Sequence, residues 1–218
     1  MSLTLFVAVG SESQASIING SFELPVVNDM TAAGSGRQTF GVGSTDITGW
    51  VISGVGDVYL HKSPQIGTAI GAEFNFAQAG NQYLDLSGGI GGGVSGLHAT
   101  ISQSVPTIIG ESYLLEFYIG AARSPSASIN VKLAGAASLL NQTLTASAPN
   151  TNIVWTKQSF PFIADSLTTT LSFVDTSTFD DNYSFVDNVS ITRVVPEPSS
   201  LLYCGGLALC GAAIRRRK

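Results

Sequence analysis

In this 218-residue chain the strongest chemical signal is a single carboxylate, Asp187, in the stretch Ser184-Phe185-Val186-Asp187-Asn188-Val189-Ser190-Ile191-Thr192. Strand alternation sets Phe185, Val189 and Ile191 on one face and puts Asp187 on that same apolar face. A carboxylate buried alone costs several kcal/mol, so it must be neutralised, hydrogen-bonded or bound to a cation. Oxygen-only coordination of calcium satisfies it, and so do backbone amides at the end of a sheet.

A second group has the chemistry of sugar recognition. Pyranose rings offer C–H faces for stacking and hydroxyls for hydrogen bonds, so aromatic faces beside carboxylates and amides suit them. Glu116 and Tyr118 share the less apolar side of one strand candidate, and Asn130 and Lys132 occupy the corresponding side of the next. Together they make a candidate carbohydrate patch; a solvated sheet face of no particular function is the plain alternative. Trp50 and Trp155 sit in short strand candidates, where large aromatics usually serve the core.

Catalysis has little to work with. Nucleophilic chemistry needs an activating base, and the only histidines are His61 and His98, both expected in surface loops and neither at zinc-ligand spacing. No serine stands in a G-x-S-x-G turn. Scattered acids always allow some glycosidase-like pair, which is no evidence for one. The expectation is a non-catalytic protein, with a structural, self-associating matrix protein and a glycan-active hydrolase as the alternatives.

These side chains must be positioned by strands. Tyr113, Leu115, Phe117 and Ile119 alternate with Leu114, Glu116 and Tyr118; Ile129, Val131 and Leu133 alternate with Asn130 and Lys132; Leu171 and Phe173 fall together. Further candidates are SFELPVV, GWVISG, VYLHK, QYLDLSG, ATISQSV, LNQTLTA and WTKQSFPFIA, parted by Gly, Asn, Asp and Ser clusters. No sustained helical repeat occurs. The expected fold is an all-β antiparallel β-sandwich of the jelly-roll kind. The glycine-rich stretch from Gly88 to Gly96 reads as a loop, because no strand-to-helix transition or Lys-Ser/Thr pair follows it to make a phosphate cradle.

Charged residues make up only 11% of the chain, and between Ser16 and Pro198 six basic face fourteen acidic side chains, a net of −8. So acidic a domain repels phosphate backbones, which argues against a nucleic-acid partner and for calcium or neutral polymers. Both cysteines, Cys204 and Cys210, lie in the apolar tail, so the domain relies on neither disulfides nor thiolate sites.

The two ends read as processing segments. Residues 1–15 begin apolar and close with Ser13 and Ala15 at signal-peptidase spacing, like a signal peptide clipped at its start. Residues 199–214 are 16 residues without charge, about 24 Å as a helix, which can span a membrane if the following Arg215, Arg216, Arg217 and Lys218 snorkel. By the positive-inside rule that basic cluster stays cytoplasmic and the domain faces out.

Val195-Pro196-Glu197-Pro198-Ser199-Ser200, a glycine-containing apolar helix and an arginine run, in that order, resemble the PEP-CTERM sorting signal of Gram-negative bacteria. The resemblance implies recognition by an exosortase at Pro196, Glu197 and Pro198. It also implies an inner-membrane intermediate, and release to the cell surface or the exopolysaccharide matrix.

Asn19-Gly20-Ser21-Phe22-Glu23 near the start, with Val186-Asp187-Asn188-Val189-Ser190-Ile191 near the close, resembles the galactose-binding-like jelly roll of carbohydrate-binding modules. In that fold an acidic residue from each end often holds a structural calcium, which carries over to Glu23 and Asp187. From residue 17 to 193 the chain is similar to a family of plant cell-wall and bacterial surface proteins known only as a domain of unknown function. Plant members usually carry cysteines that this chain lacks. The resemblance implies association with exopolysaccharide or cell-wall glycan rather than a defined reaction. The expected organisation is a signal peptide (1–15), a sandwich domain (16–193) and a sorting tail (194–218) with its transmembrane helix.

Overall fold

The computed structural model describes residues 15–28, 36–63, 65–66, 74–88, 98–122, 124–148, 152–177 and 183–195. The expected signal peptide up to Gln14, the glycine-rich loop beyond Gly88, the Pro196-Glu197-Pro198 motif and the membrane helix at 199–214 lie outside the described residues. Among the described residues no helix is long and apolar enough to cross a membrane. Ala15, read as the end of the leader, is only 4% exposed and packs in the core with the domain.

The strands in chain order are β1 (Arg37–Gly41), β2 (Val51–Gly54), β3 (Asp57–Lys62), β4 (Gln65–Ile66), β5 (Phe74–Asn75), β6 (Gln82–Asp85), β7 (Ala99–Pro106), β8 (Ser112–Ala122), β9 (Ser124–Ala134), β10 (Ser138–Ala148), β11 (Val154–Ile163), β12 (Thr168–Asp175) and β13 (Tyr183–Arg193). A six-stranded sheet runs β1-β3-β6-β13-β8-β11, a five-stranded sheet runs β10-β9-β12-β7-β2, and β4 pairs with β5. Every pairing is antiparallel. The expected all-β antiparallel sandwich is thus what forms.

Period-two patterning builds the core between the sheets. Tyr113, Leu115, Phe117 and Ile119 of β8 point inward to meet Ile129, Val131 and Leu133 of β9 and Leu171 and Phe173 of β12. Trp50 joins them, stacked on Phe22 at 5.3 Å, while Phe117 sits edge-on to Phe173 at 5.0 Å. Each such side chain contributes roughly 1.5–3 kcal/mol on burial, so the inner faces decide the fold.

Three expectations change. The stretch SFELPVV is not a strand: Asn19 and Phe22 adopt left-handed φ of 54° and 56°, and Pro25 has no N–H to give a ladder. Side chains replace the missing ladder. Gln103 Oε1 accepts from Ile18 N at 2.7 Å and its Nε2 donates to Ile18 O at 2.9 Å. Gln82 Nε2 donates to Phe22 O and Pro25 O.

Next, β8 and β9 belong to opposite sheets although a single residue separates them, so the chain turns from one layer to the other there. Finally, β13 does not keep one alternation. A bulge between Asp187 and Ser190, with Asn188 at φ 51°, inserts one residue against β8. Val189 and Ile191 therefore face the core, whereas Phe185 faces the outside of the sheet in a separate cluster.

Within that bulge the first described segment touches the last strand, with Val189 N donating to Gly20 O at 2.8 Å. A Cβ on Gly20 would collide with the Val189 carbonyl oxygen. Gly20→Ala should therefore cost about 1–3 kcal/mol in urea denaturation. Gly41→Ala, where a Cβ meets nothing within 4 Å, should change stability by less than about 0.5 kcal/mol. Equal costs would show that the two segments do not pack as described.

Candidate functional site

The outer face of the six-stranded sheet carries an aligned row through all its strands: Thr39, Tyr59, Asp85, Phe185, Gly120 and Trp155 stand opposite one another in turn. Gly120 has a specific use. A Cβ there would lie 2.8 Å from Cε3 and 2.9 Å from Cζ3 of Trp155, so the missing side chain is the seat of the indole. Trp155 Nε1 donates to Phe76 O at 2.9 Å, and Phe76 is 57% exposed. Trp155 is thus half-buried on an outer face rather than in the inter-sheet core.

Behind it, Tyr83 meets Trp155 edge-on at 6.0 Å and Phe185 at 5.3 Å, and His61 stacks on Tyr83 at 5.2 Å. The expectation of surface histidines is corrected here. His61 is 3% exposed within β3, with Nε2 at 3.0 Å from Asp85 Oδ2, while Asp85 Oδ1 accepts from the backbone and hydroxyl of Ser87. His98 is partly buried, its Nδ1 at 3.3 Å from Asp175 Oδ2. The first pair links β3 to β6 diagonally, and the second links the residue before β7 to the last residue of β12.

Beside Trp155 lie two more rows, Asp187-Tyr118-Lys157 and Ser190-Glu116-Ser159. Lys157 Nζ is 2.7 Å from Glu116 Oε1, and this hydrogen bond pushes the lysine pKa up. Tyr118 and Glu116 are both half-buried. Trp155, Tyr118, Lys157 and Glu116 therefore form one aromatic and charged strip. Asn130 and Lys132 do not belong to it. They lie on the outer face of the other sheet, where Asn130 Nδ2 donates to Asn141 Oδ1 at 3.1 Å and Thr143 Oγ1 at 3.2 Å. The single four-residue patch expected from alternation is divided between opposite faces, because alternation assigns a side of a strand and not a sheet.

Glu23 and Asp187 do come together, around residues 76–82. Asp187 Oδ2 accepts from Gln78 N at 2.8 Å and Ala79 N at 2.9 Å, and Oδ1 accepts from Asn188 N at 2.6 Å. Glu23 Oε1 accepts from Asn81 N at 2.8 Å and Gln82 N at 2.9 Å. Gly80, at φ +68°, lets the loop close on Glu23, since a Cβ there would lie 2.7 Å from the carboxyl carbon. The amides named at the outset as one way to hold Asp187 are present.

They do not compensate it fully. Burial pushes the Asp187 pKa up to about 7 and the nearby Glu23 charge adds to the rise, against the pull of the amides of Ala79, Asn188 and Gln78. As calcium ligands the pair fits in part: Glu23 Oε2 and one lone pair of Asp187 Oδ1 are not claimed by these amides. Among the described residues no group of three or more His, Cys, Asp or Glu side chains is placed to hold a metal. Calcium there would draw its remaining oxygens from carbonyls and water.

Residues 15–192 match the family described as protein of unknown function, DUF642. No curated protein sequence matches the chain. Among solved structures it is similar to one described as CBM4 (17% identity, 82% of this chain and 99% of that chain, TM-score 0.42). It is also similar to a CBM61 in complex with β-1,4-galactotriose (14%, 67% and 90%, TM-score 0.46). An arabinose-bound GH51 α-L-arabinofuranosidase is a third such structure (13%, 83% and 26%, TM-score 0.49).

The Asp187 shift sets a pH dependence. Its ordinary value is 3.8 and its folded value about 7, so the folded state holds the proton more tightly. That contribution is full below about pH 4 and is lost as pH rises towards 7. In chelator, the melting temperature of the wild-type chain should therefore fall relative to that of Asp187→Asn over this window. Parallel pH profiles for the two proteins would contradict the burial of an uncompensated carboxylate.

Proposed function

We propose that this chain, which belongs to the DUF642 family, is an exported, non-catalytic surface or matrix protein that binds exopolysaccharide or cell-wall glycan on the outer face of its six-stranded sheet. The observation that carries this reading is the strip of Trp155, Tyr118, Lys157 and Glu116. It combines ring faces for sugar C–H groups with a donor and an acceptor for hydroxyls at fixed spacing. The net charge of −8 between Ser16 and Pro198 favours a neutral polymer over a polyanion.

Calcium belongs to the same proposal as a structural ion. Glu23 and Asp187 would hold it, and its charge would neutralise the two carboxylates, of which Glu23 adds to the rise in the Asp187 pKa. The sorting signal completes the reading: an exosortase would act at Pro196-Glu197-Pro198 after the tail helix has held the chain in the inner membrane.

The glycan site is tested by retention on native matrix polysaccharides. Tyr118→Ala should weaken binding about tenfold, equivalent to about 1.4 kcal/mol, while Lys132→Ala on the opposite face leaves it unchanged. Loss with Lys132→Ala but not with Tyr118→Ala would move the site to the other sheet, and no binding to any matrix polymer would remove it. For the ion, chelation should lower the wild-type melting temperature and leave Asp187→Ala indifferent. A melting curve that ignores chelator would exclude calcium.

A further inference from the structure

β10 ends the five-stranded sheet and, among the described residues, pairs only with β9. One side of its backbone is therefore an open row of N–H and C=O groups. Such an edge templates pairing with another strand, and proteins guard it with charge, proline, shortness or bulges. The other edges here are guarded: β1 has 5 residues and carries Arg37, β2 has 4, and β11 carries Lys157 and Pro161.

β10 is different. Its 11 residues, SLLNQTLTASA, contain no charge and no proline. Its irregularities fall at the ends, between Ser138 and Leu140 and between Ala146 and Ala148, leaving Leu140 to Ala146 in continuous register. Leu139, Leu140 and Leu144 pack against the core yet stay only partly buried, an apolar rim along the open edge.

We propose that this edge pairs antiparallel with β10 of a second copy of the chain, about a two-fold axis at Thr143, joining the two five-stranded sheets into one. A two-fold axis makes the contact self-complementary. Centred on Thr143, it sets Asn141 opposite Thr145, an amide against a hydroxyl, on the outer face. On the inner face Gln142 meets Leu144 and Leu140 meets Ala146. Asn130 already orients Asn141 and Thr143 through its Nδ2 hydrogen bonds. The chain's net charge is −5, so association through its most acidic surfaces would be repulsive, whereas this strand brings no charge into contact.

The test uses the full chain with Cys204→Ser and Cys210→Ser. Residues directly opposite across an antiparallel pair have Cα atoms about 4.5–5.5 Å apart, within the reach of a disulfide. Thr143→Cys should cross-link to a dimer under mild oxidation while Thr145→Cys should not. In sedimentation, the protein should run as a dimer and Thr143→Lys, which places like charges opposite each other, as a folded monomer that still melts cooperatively. A monomeric parent protein, a dimer that survives Thr143→Lys, or equal cross-linking at both cysteines would overturn the proposal.

Discussion

The buried carboxylate of Asp187 is the constraint from which the outer face of the six-stranded sheet is organised. It cannot be left alone in an apolar setting, so the chain folds residues 76–82 back over β13 to supply amides, and Glu23 holds the other end of that loop. The same loop presents the Phe76 carbonyl to the Trp155 indole. Asp187 also stands at the bulge that turns β13 from facing outward to facing the core. One polar group in a strand thus sets the position of a loop, a bulge and an aromatic side chain on three different elements.

The two outer faces have different chemistry for a reason visible in their strands. On the six-stranded sheet, β3, β6 and β13 bury residues on both sides, with Tyr59, His61, Tyr83 and Phe185 outside and Val58, Leu60, Leu84 and Val186 inside. The five-stranded sheet buries one side only, and its other side is mostly Ser, Thr and Asn in register, with Lys132 and Val51 among them in the row Asn141-Lys132-Ser172-Ser102-Val51. The aromatic face can grip a ring; the hydroxyl face can only hydrogen-bond, and competes there with water.

Much of the sandwich was legible in the sequence, because alternation in β8, β9, β11 and β12 reports directly on a half-buried sheet. What alternation could not report was sheet membership, which separated Glu116 and Tyr118 from Asn130 and Lys132. Nor could it see the bulge, although the turn-prone Asp187-Asn188 pair in mid-strand was its signal. The placement of Trp155 was written in Gly120, since a lone glycine in an apolar strand marks a close approach. The pairing of His61 with Asp85 lay in two strands, VYLHK and QYLDL, whose polar residue follows an aromatic by two positions; their partnership needed the tertiary register.

β13 runs through the middle of its sheet, laddered to β8 along its length and to β6 at its first half, and its last residues are held by Val194 N to Ser112 O and by the Arg193–Glu111 ion pair. The chain then leaves for its tail from that central strand. If the sheet face is gripped from outside while the tail is still moored, tension enters along the strand axis. It loads the ladder bonds together in shear, where an edge hairpin would let them open one after another. A domain held in this way would bear pull at its C-terminal end, were the chain tethered there.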